Sequence, residues 1–381
     1  GSDCQTGRML YATHAVVDLA AIRENLAGVR DRVGDRAILA AVKADAYGHG
    51  AVEVSRMIES TGAADWLGVA TVPEGIELRE AGITLPILKL SHAFPEEVEA
   101  ALRADLTLTV VDADTIDQVA EVASRLGITA PVHLKLDTGM RRIGSDTSEA
   151  VGLAGRIVES GNLLLEGIFT HLPISDTPEG DEFTRDELAR FLDAAREVGE
   201  AVGSVRWVHA SNSGGILAHS LEGLTMVRPG IMVYGYYPDP ATPRTIQLRQ
   251  AMTLMSRVTF LKRVPAGDTV GYGRTWTAPV DTWIATVPVG YADGYSRLNS
   301  NRGRMLIGGR PYPVVGRVCM DQSMLDLGPT DPYVAVGDDV VWLGCQGDEC
   351  ITTDELADLM GTITYEVTCL VPPRVRRFYT G

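Results

Sequence analysis

Positive charge is scarce in this sequence, and so are cysteine and long apolar runs. The 381 residues carry 34 Lys and Arg against 50 Asp and Glu, a formal net charge of -16. A chain this acidic is repelled by nucleic acid and by anionic membrane surfaces, so neither is expected as a partner. A cationic or zwitterionic small molecule is compatible with it. No apolar stretch is long enough to span a bilayer, and no signal peptide is visible. Gly1-Ser2 without an initiator Met reads as the remnant of a tag, so the natural start is expected to lie elsewhere. The five cysteines, Cys4, Cys319, Cys345, Cys350 and Cys369, are odd in number and scattered. Cys345 and Cys350 lack the tight spacing of a zinc knuckle and no His-x-His cluster accompanies them, so no metal site is expected. Free thiols in a reducing, cytoplasmic compartment are the better reading. A Cys345–Cys350 disulfide is the alternative.

What is present is ordinary globular material, 45% hydrophobic and 22% charged, enough for a large core. The length suggests two domains, or one barrel with an addition. From about residue 37 to 235 short apolar runs alternate with amphipathic segments, the pattern of βαβ units. Strands are expected at 37–43, 65–70, 86–90, 107–111, 131–137, 164–171, 206–210 and 224–228. Helices lie between most of them. Two stop clearly at glycine, Asp114 to Leu126 before Gly127 and Asp181 to Val202 before Gly203. Eight strands with intervening helices fit an α/β architecture, a (β/α)8 TIM barrel spanning residues 12–240. After about residue 240 helical periodicity nearly vanishes. Strand-like runs at Met255–Val264, Thr282–Val289, Arg304–Ile307, Pro313–Val318 and Asp339–Leu343 point to a C-terminal all-β domain over 241–381. The run Ala15-Val16-Val17-Asp18-Leu19 precedes the barrel, and residues 12–19 can pair with that second domain.

A TIM barrel carries its chemistry at the C-terminal ends of its strands. Polar groups stand at five of those ends: Lys43, Lys135 with Asp137, His171, His209 and Arg228. One histidine at such a place is more often a satisfied core residue than a catalyst; several on one rim favour a site. Lys43 follows the apolar run Ala37–Val42, where partial desolvation lowers an amine's pKa and favours a nucleophile. Such amines form Schiff bases with carbonyls, pyridoxal phosphate (PLP) among them. A lone lysine would more often simply snorkel into solvent. Ala210-Ser211-Asn212-Ser213-Gly214-Gly215 opens a short helix with small residues, and Val227-Arg228-Pro229-Gly230-Ile231 adds backbone N–H groups beside a fixed turn. Together they offer an anion site where a barrel is expected to hold phosphate, although such a motif taken alone is more often an ordinary Gly/Ser loop. Arg228 cannot lose its proton, so against a pyridine nitrogen it would donate without protonating it and leave a weak electron sink. In the second domain Gly271-Tyr272-Gly273 sets a tyrosine where the backbone can approach a ligand closely.

These motifs, taken in order, resemble the PLP-dependent alanine racemase family (fold type III) over essentially the full length from about residue 12. Ala41-Val42-Lys43-Ala44-Asp45-Ala46-Tyr47-Gly48-His49-Gly50 resembles that family's cofactor-attachment motif. PLP-binding homeostasis proteins share the barrel and lysine but lack a β domain. The resemblance implies that Lys43 attaches PLP and acts as one base, while Tyr272 from the partner subunit acts as the other. Tyr47, Asn212, Ser213, Gly230, Ile231 and Tyr365 would form the phosphate site. Arg228 would face the pyridine nitrogen, supported by His209 and His171. Leu134-Lys135-Leu136-Asp137-Thr138-Gly139-Met140-Arg141-Arg142 also matches; Lys135 is the place carbamylated in many members, positioning Arg142 toward cofactor and substrate. Met320, again from the partner, would bind the substrate carboxylate. Asp176, Tyr291, Arg297, Arg317 and Ile363 match the entrance.

The expectation is therefore a cytoplasmic homodimer that interconverts L- and D-alanine and supplies D-alanine for peptidoglycan of the cell wall. A serine or broad-spectrum racemase is the alternative, since one methylene or hydroxyl shifts discrimination by only about 1–3 kcal/mol. A decarboxylase of this architecture has different attachment and cysteine motifs. A non-catalytic PLP carrier would not need Tyr272 or the β domain.

Overall fold

The computed structural model describes residues 10–330 and 333–381. The chain divides into two compact units. Leu19–Arg249 form one, and among the described residues those up to Asp18 join those from Gln250 onward in the other.

The first unit is a closed eight-stranded parallel barrel. Strand β1 (His14–Asp18) belongs to the other unit, and the barrel runs through β2 (Ala37–Ala41), β3 (Trp66–Val69), β4 (Ile87–Lys89), β5 (Thr107–Val110), β6 (Ala130–Lys135), β7 (Leu163–Phe169), β8 (Trp207–His209) and β9 (Met226–Val227). It closes where Ala37 and Ile38 of β2 pair with Met226 and Val227 of β9. All eight expected strands are there, trimmed at their ends because the last polar residues leave the ladder to build the rim loops. Strands β2 to β5 are buried at every position, and β2 and β3 are accordingly apolar throughout, while Lys89 of β4 and Thr107 and Thr109 of β5 are buried polar residues. Leu39, Trp66, Leu88 and Met226 pack together in the barrel core. The register slips once, between Val132 and His133 of β6, so that Leu165 and Gly167 of β7 are paired and Glu166 is the extra residue of a bulge. Gly167 is required there: a Cβ would come within 2.5 Å of the His133 ring. The helix Asp181–Val202 has the expected bounds, and the helix Ala113–Leu126 ends at Gly127 in the left-handed conformation.

The second unit is β-rich. Continuing the count, its strands are β10 (Met252–Arg257), β11 (Phe260–Val264), β12 (Thr269–Val270), β13 (Trp276–Thr277), β14 (Thr282–Val287), β15 (Arg304–Ile307), β16 (Arg310–Pro313), β17 (Ser323–Gly328), β18 (Asp339–Gln346), β19 (Glu349–Ile351) and β20 (Arg376–Thr380). The main sheet has the order β16-β15-β18-β10-β1-β20, and β11, β14 and β17 form a second. In the main sheet β1 runs antiparallel to β10 and parallel to β20.

Three sequence expectations need correction here. The unit is not purely β, since helices Thr353–Met360 and Thr364–Cys369 interrupt it. The run Pro313–Val318 is extended only at its start: β16 ends at Pro313, Val314 makes a single bridge to Leu325, and the glycine at 316 sits at φ +74° where the chain turns. Cys345 and Cys350 are not free thiols. They face each other across the β18–β19 hairpin and form a disulfide. Cys319 is a free thiol, and Cys4 lies outside the described residues.

Candidate active site

The rim of the barrel begins with a backbone anomaly. After Val42, whose N–H still bonds Gly68 O across to β3 (2.9 Å), Ala44, Asp45, Ala46 and Tyr47 take φ values of +51°, +52°, +53° and +55°. The segment is one left-handed helical turn, closed by Ala46 N–H to Val42 O (2.8 Å) and Gly48 N–H to Ala44 O (3.0 Å). Each non-glycine residue in that conformation costs roughly 1–2 kcal/mol, so the turn stores on the order of 4–8 kcal/mol. Side-chain acceptors hold it: Asp45 Oδ1 takes the Ala51 N–H at 2.8 Å, and Glu74 Oε1 takes the Ala44 N–H at 2.8 Å. Lys43, half-buried, stands at the start of this turn and buried Tyr47 at its end.

Tyr47 leads to an anion cup. Its hydroxyl lies so close to Gly230 that a Cβ there would approach it to 2.6 Å. Ser213 is the first residue of the short helix Ser213–Ala218, and its Oγ accepts the N–H of Gly230 at 3.0 Å. Asn212 caps the helix: its Oδ1 accepts from Gly215 N (3.0 Å) and Ser175 Oγ (2.7 Å), and its Nδ2 donates to Leu172 O (3.1 Å). The helix start, the Ser213 and Tyr47 hydroxyls and the turn at Gly230 and Ile231 thus converge. Asp176 borders this helix, since a Cβ at Gly214 would lie 2.9 Å from its Cα; burial raises its carboxyl pKa.

Arg228 occupies the middle of the rim. Nη1 lies 2.9 Å from His209 Nδ1, and Nη2 donates to Thr170 O (2.8 Å) and Ala210 O (3.0 Å) with His171 Nδ1 at 3.3 Å. Its Nε and the second Nη1 hydrogen have no acceptor among the described residues. Burial pulls the guanidinium down to about 9, still cationic at neutral pH. His171 and His209 are held well below the usual histidine range, first by burial and then by the Arg228 charge.

Lys135 at the end of β6 is buried, with Nζ 4.9 Å over the Phe169 ring. Its pKa is lowered to about 7 by burial and by the charges of Arg228 and Arg142. The loop that carries Arg142 folds back through Asp137, whose Oδ1 accepts the N–H groups of Gly139 (2.9 Å) and Arg141 (3.0 Å).

The remaining candidates lie in the β-rich unit. Tyr272 is 72% exposed, on a turn between Gly271 and Gly273 at φ +77° and +71°. Arg317 packs on this turn, 3.2 Å from where a Cβ of Gly273 would stand. Tyr291 and Met320 sit on facing loops, joined by Tyr291 N–H to Cys319 O (3.0 Å) and Ala292 N–H to Met320 O (2.9 Å). Arg297 opens the short helix Arg297–Asn299, Ile363 is exposed ahead of the helix Thr364–Cys369, and Tyr365 is half-buried in its first turn.

Three residues near the rim escaped the sequence reading. His133 lies under His209, with Nδ1 2.9 Å from His209 Nε2. Glu187 of the helix Asp181–Val202 is fully buried against Gly139 and accepts from Thr138 Oγ1 at 3.3 Å. Glu74 supports the left-handed turn. Only His133, two residues before Lys135 in a strand buried on both sides, carried a sequence signal, because an inward-pointing imidazole there must find partners.

A family model described as the alanine racemase N-terminal domain matches residues 17–238, and one for the alanine racemase C-terminal domain matches residues 251–379. An alanine racemase of Cutibacterium acnes is 55% identical over 369 residues, covering 97% of this chain and 98% of that protein. An alanine racemase of Symbiobacterium thermophilum is 44% identical over 369 residues, covering 97% of each. Among solved structures, an alanine racemase of Clostridium difficile superposes with a TM-score of 0.91 at 37% identity, over 98% of this chain and 97% of the other. A histidine racemase of Leuconostoc mesenteroides does so with 0.89 at 28%, over 98% and 99%.

Proposed function

This chain belongs to the alanine racemase family, and from that premise we propose that it interconverts L- and D-alanine as a PLP-loaded homodimer, with Lys43 and Tyr272 as its two bases. The chain is an amino-acid racemase, an isomerase acting on alanine. One observation carries the assignment of its site: the barrel rim unites Lys43, a buried Arg228 with unspent donors, and the cup at Tyr47, Ser213 and Gly230 where no side chain fits.

That rim fits PLP by the chemistry of its groups. Lys43 would attach it through its amine. Tyr47, Ser213, the N–H groups of Gly230 and Ile231, and Tyr365 would hold the phosphate, with Asn212 keeping the helix start in place. When bound, the group supplies a conjugated ring that spreads the electron pair left on Cα. Arg228 would donate a hydrogen bond to the ring nitrogen and, keeping its own proton, would leave that nitrogen unprotonated. His209 and His171 orient the guanidinium.

Racemisation needs a base on each face of Cα. Lys43 Nζ takes or returns the proton on one face, and Tyr272 Oη of the partner subunit does so on the other. Tyr272 is largely exposed in one chain, as are Tyr291 (43%), Met320 (54%) and Ile363 (58%). Large apolar groups left outward in this way suit an interface. Met320 N–H of the partner subunit and Arg142 hold the substrate carboxylate. Carbamylation of Lys135 would place an anion between Arg142 and Arg228, where three cationic groups otherwise meet. Asp176, Tyr291, Arg297, Arg317 and Ile363 line the entrance. As a source of D-alanine for peptidoglycan the enzyme works in the cytoplasm; no helix among the described residues is long and apolar enough to cross a membrane.

The test is racemisation of L-alanine against L-serine by the PLP-loaded protein, with Lys43→Ala as control. Strong alanine preference, lost in the variant, is expected. A serine preference, or full activity in the variant, overturns the reading.

A further inference from the structure

Glu74 spends its two carboxylate oxygens in different directions. It is the third residue of the helix Val72–Glu80, in a capping box with Thr71. Oε2 serves that helix start, accepting the N–H groups of Ala70 (2.7 Å) and Thr71 (3.0 Å). A cap needs nothing more. Oε1 instead leaves its own loop and accepts the Ala44 N–H, thirty residues away, at 2.8 Å. Ala44 directly follows Lys43 and is the first of the four left-handed residues. Their conformation is unfavourable in isolation, so it persists only where its surroundings over-determine it. A charge-assisted bond to the first residue of the turn is the contribution from the neighbouring strand's loop.

We infer that Glu74 is a positioning residue: through its bond to the Ala44 amide it fixes the left-handed turn that orients Lys43 at one end and Tyr47 at the other. The inference rests on the reading of Lys43 as the cofactor-bearing base. One contact governs two functional side chains because both ends of a single helical turn move if it unwinds. Without it the backbone at 44–47 relaxes toward right-handed values, which redirects the Lys43 amine and withdraws the Tyr47 hydroxyl from Gly230. The carboxylate is specific for the task. Both oxygens face N–H donors, so an amide in its place must turn its NH2 toward one set of them and repel it.

Three variants separate positioning from capping. Glu74→Gln and Glu74→Ala each break the Ala44 contact or its geometry. Thr71→Ala removes the other half of the capping box and leaves the Ala44 contact intact. Three measurements are made on each: amide hydrogen exchange over residues 43–48 in the cofactor-free protein, the rate of borohydride-trapped PLP incorporation at Lys43 located by peptide mass spectrometry, and kcat and KM. Both Glu74 variants should speed exchange and lower trapping and kcat by about tenfold to a hundredfold, the cost of misplacing a reacting group by about an ångström. Thr71→Ala should stay within about twofold in all three while losing thermal stability through its cap. Unchanged exchange and trapping in Glu74→Ala, or the same losses in Thr71→Ala, would overturn the inference. If the wild-type protein traps no PLP at Lys43, the functional reading fails, and the exchange pattern still decides whether Glu74 holds the turn.

Discussion

His209 Nε2 lies 2.9 Å from His133 Nδ1, one step inward from Arg228, whose Nη1 lies 2.9 Å from His209 Nδ1. Because arginine only donates, this order fixes both imidazoles. His209 accepts at Nδ1 and carries its hydrogen on Nε2, which it gives to His133 Nδ1. His133 must then carry its own hydrogen on Nε2, which faces Glu166 Oε2 at 3.8 Å, too long for a direct bond. Both rings are neutral, in keeping with burial pushing their pKa values down.

Replacing His209 by phenylalanine tests this chain. The new ring can keep the stacking on Phe169, whose centroid is 4.6 Å away, but the buried Arg228 donor and His133 Nδ1 lose their partner. The expected loss of stability is about 1–3 kcal/mol, measured by urea unfolding, together with a lower kcat. An unchanged unfolding midpoint would show that the bond contributes nothing.

Glu187 sets a pH dependence of opposite sign to that of the histidines. Burial raises its carboxyl to about 7 from the ordinary 4.5, with the Thr138 hydroxyl and Arg190 opposing. A raised acid binds its proton more tightly when folded, so its stabilising contribution is lost as pH rises from about 4.5 through about 7. The buried histidines His133, His171 and His209 are depressed, so their contribution is lost as pH falls below the ordinary 6.5. Glu187→Gln keeps an acceptor for Thr138 and removes the charge. Its melting temperature should exceed the wild-type value above pH 7 and converge on it toward pH 4.5. Parallel curves across that range would refute the assignment.

Lys135 has its pKa lowered to about 7 by burial and by the charges of Arg228 and Arg142, with only Asp137 opposing, so a substantial fraction is neutral at pH 7 and open to carbon dioxide. With 13C-bicarbonate the wild-type protein should show a carbamate resonance that Lys135→Arg lacks. Lys135→Ala should raise KM for alanine, since Arg142 loses its anchor. A spectrum without that resonance would leave Lys135 an unmodified amine.

Tyr272→Phe should divide the two directions of the reaction. Loss of the phenol is expected to impair proton removal from L-alanine far more than from D-alanine, read as solvent deuterium entering each enantiomer. Equal losses would count against the two-base assignment.

Much of this molecule was legible before folding. The eight strands showed because their largely buried positions make short, mostly apolar runs, and the rim showed because polar residues end several of those runs. The pairing of β1 with β10 and β20 was legible only as a capacity, since a short apolar run does not name its partner. The two helices after residue 350 were missed because they are six and eight residues long, too short for periodicity to register. The sequence holds four lysines, and Lys43, Lys89 and Lys135 each stand at or just past the end of a barrel strand. The structure gives their surroundings: Lys89 is spent on Ser91 and on His92 O at 2.7 Å, while Lys135 is buried and feels the charges of Arg228 and Arg142.

What the sequence by itself determined is what depends on neighbours along the chain: strand and helix periods, the order of motifs, and a lysine at the end of a buried strand. What the tertiary structure decided depends on residues far apart in sequence. Ala44 meets Glu74 across 30 positions, Thr138 meets Glu187 across 49, and His133 meets His209 across 76. The same holds for the conformation of Ala44–Tyr47. Four non-glycine residues are disfavoured in the left-handed conformation, and to the local bond from Ala51 N–H to Asp45 the folded barrel adds the distant one from Ala44 N–H to Glu74.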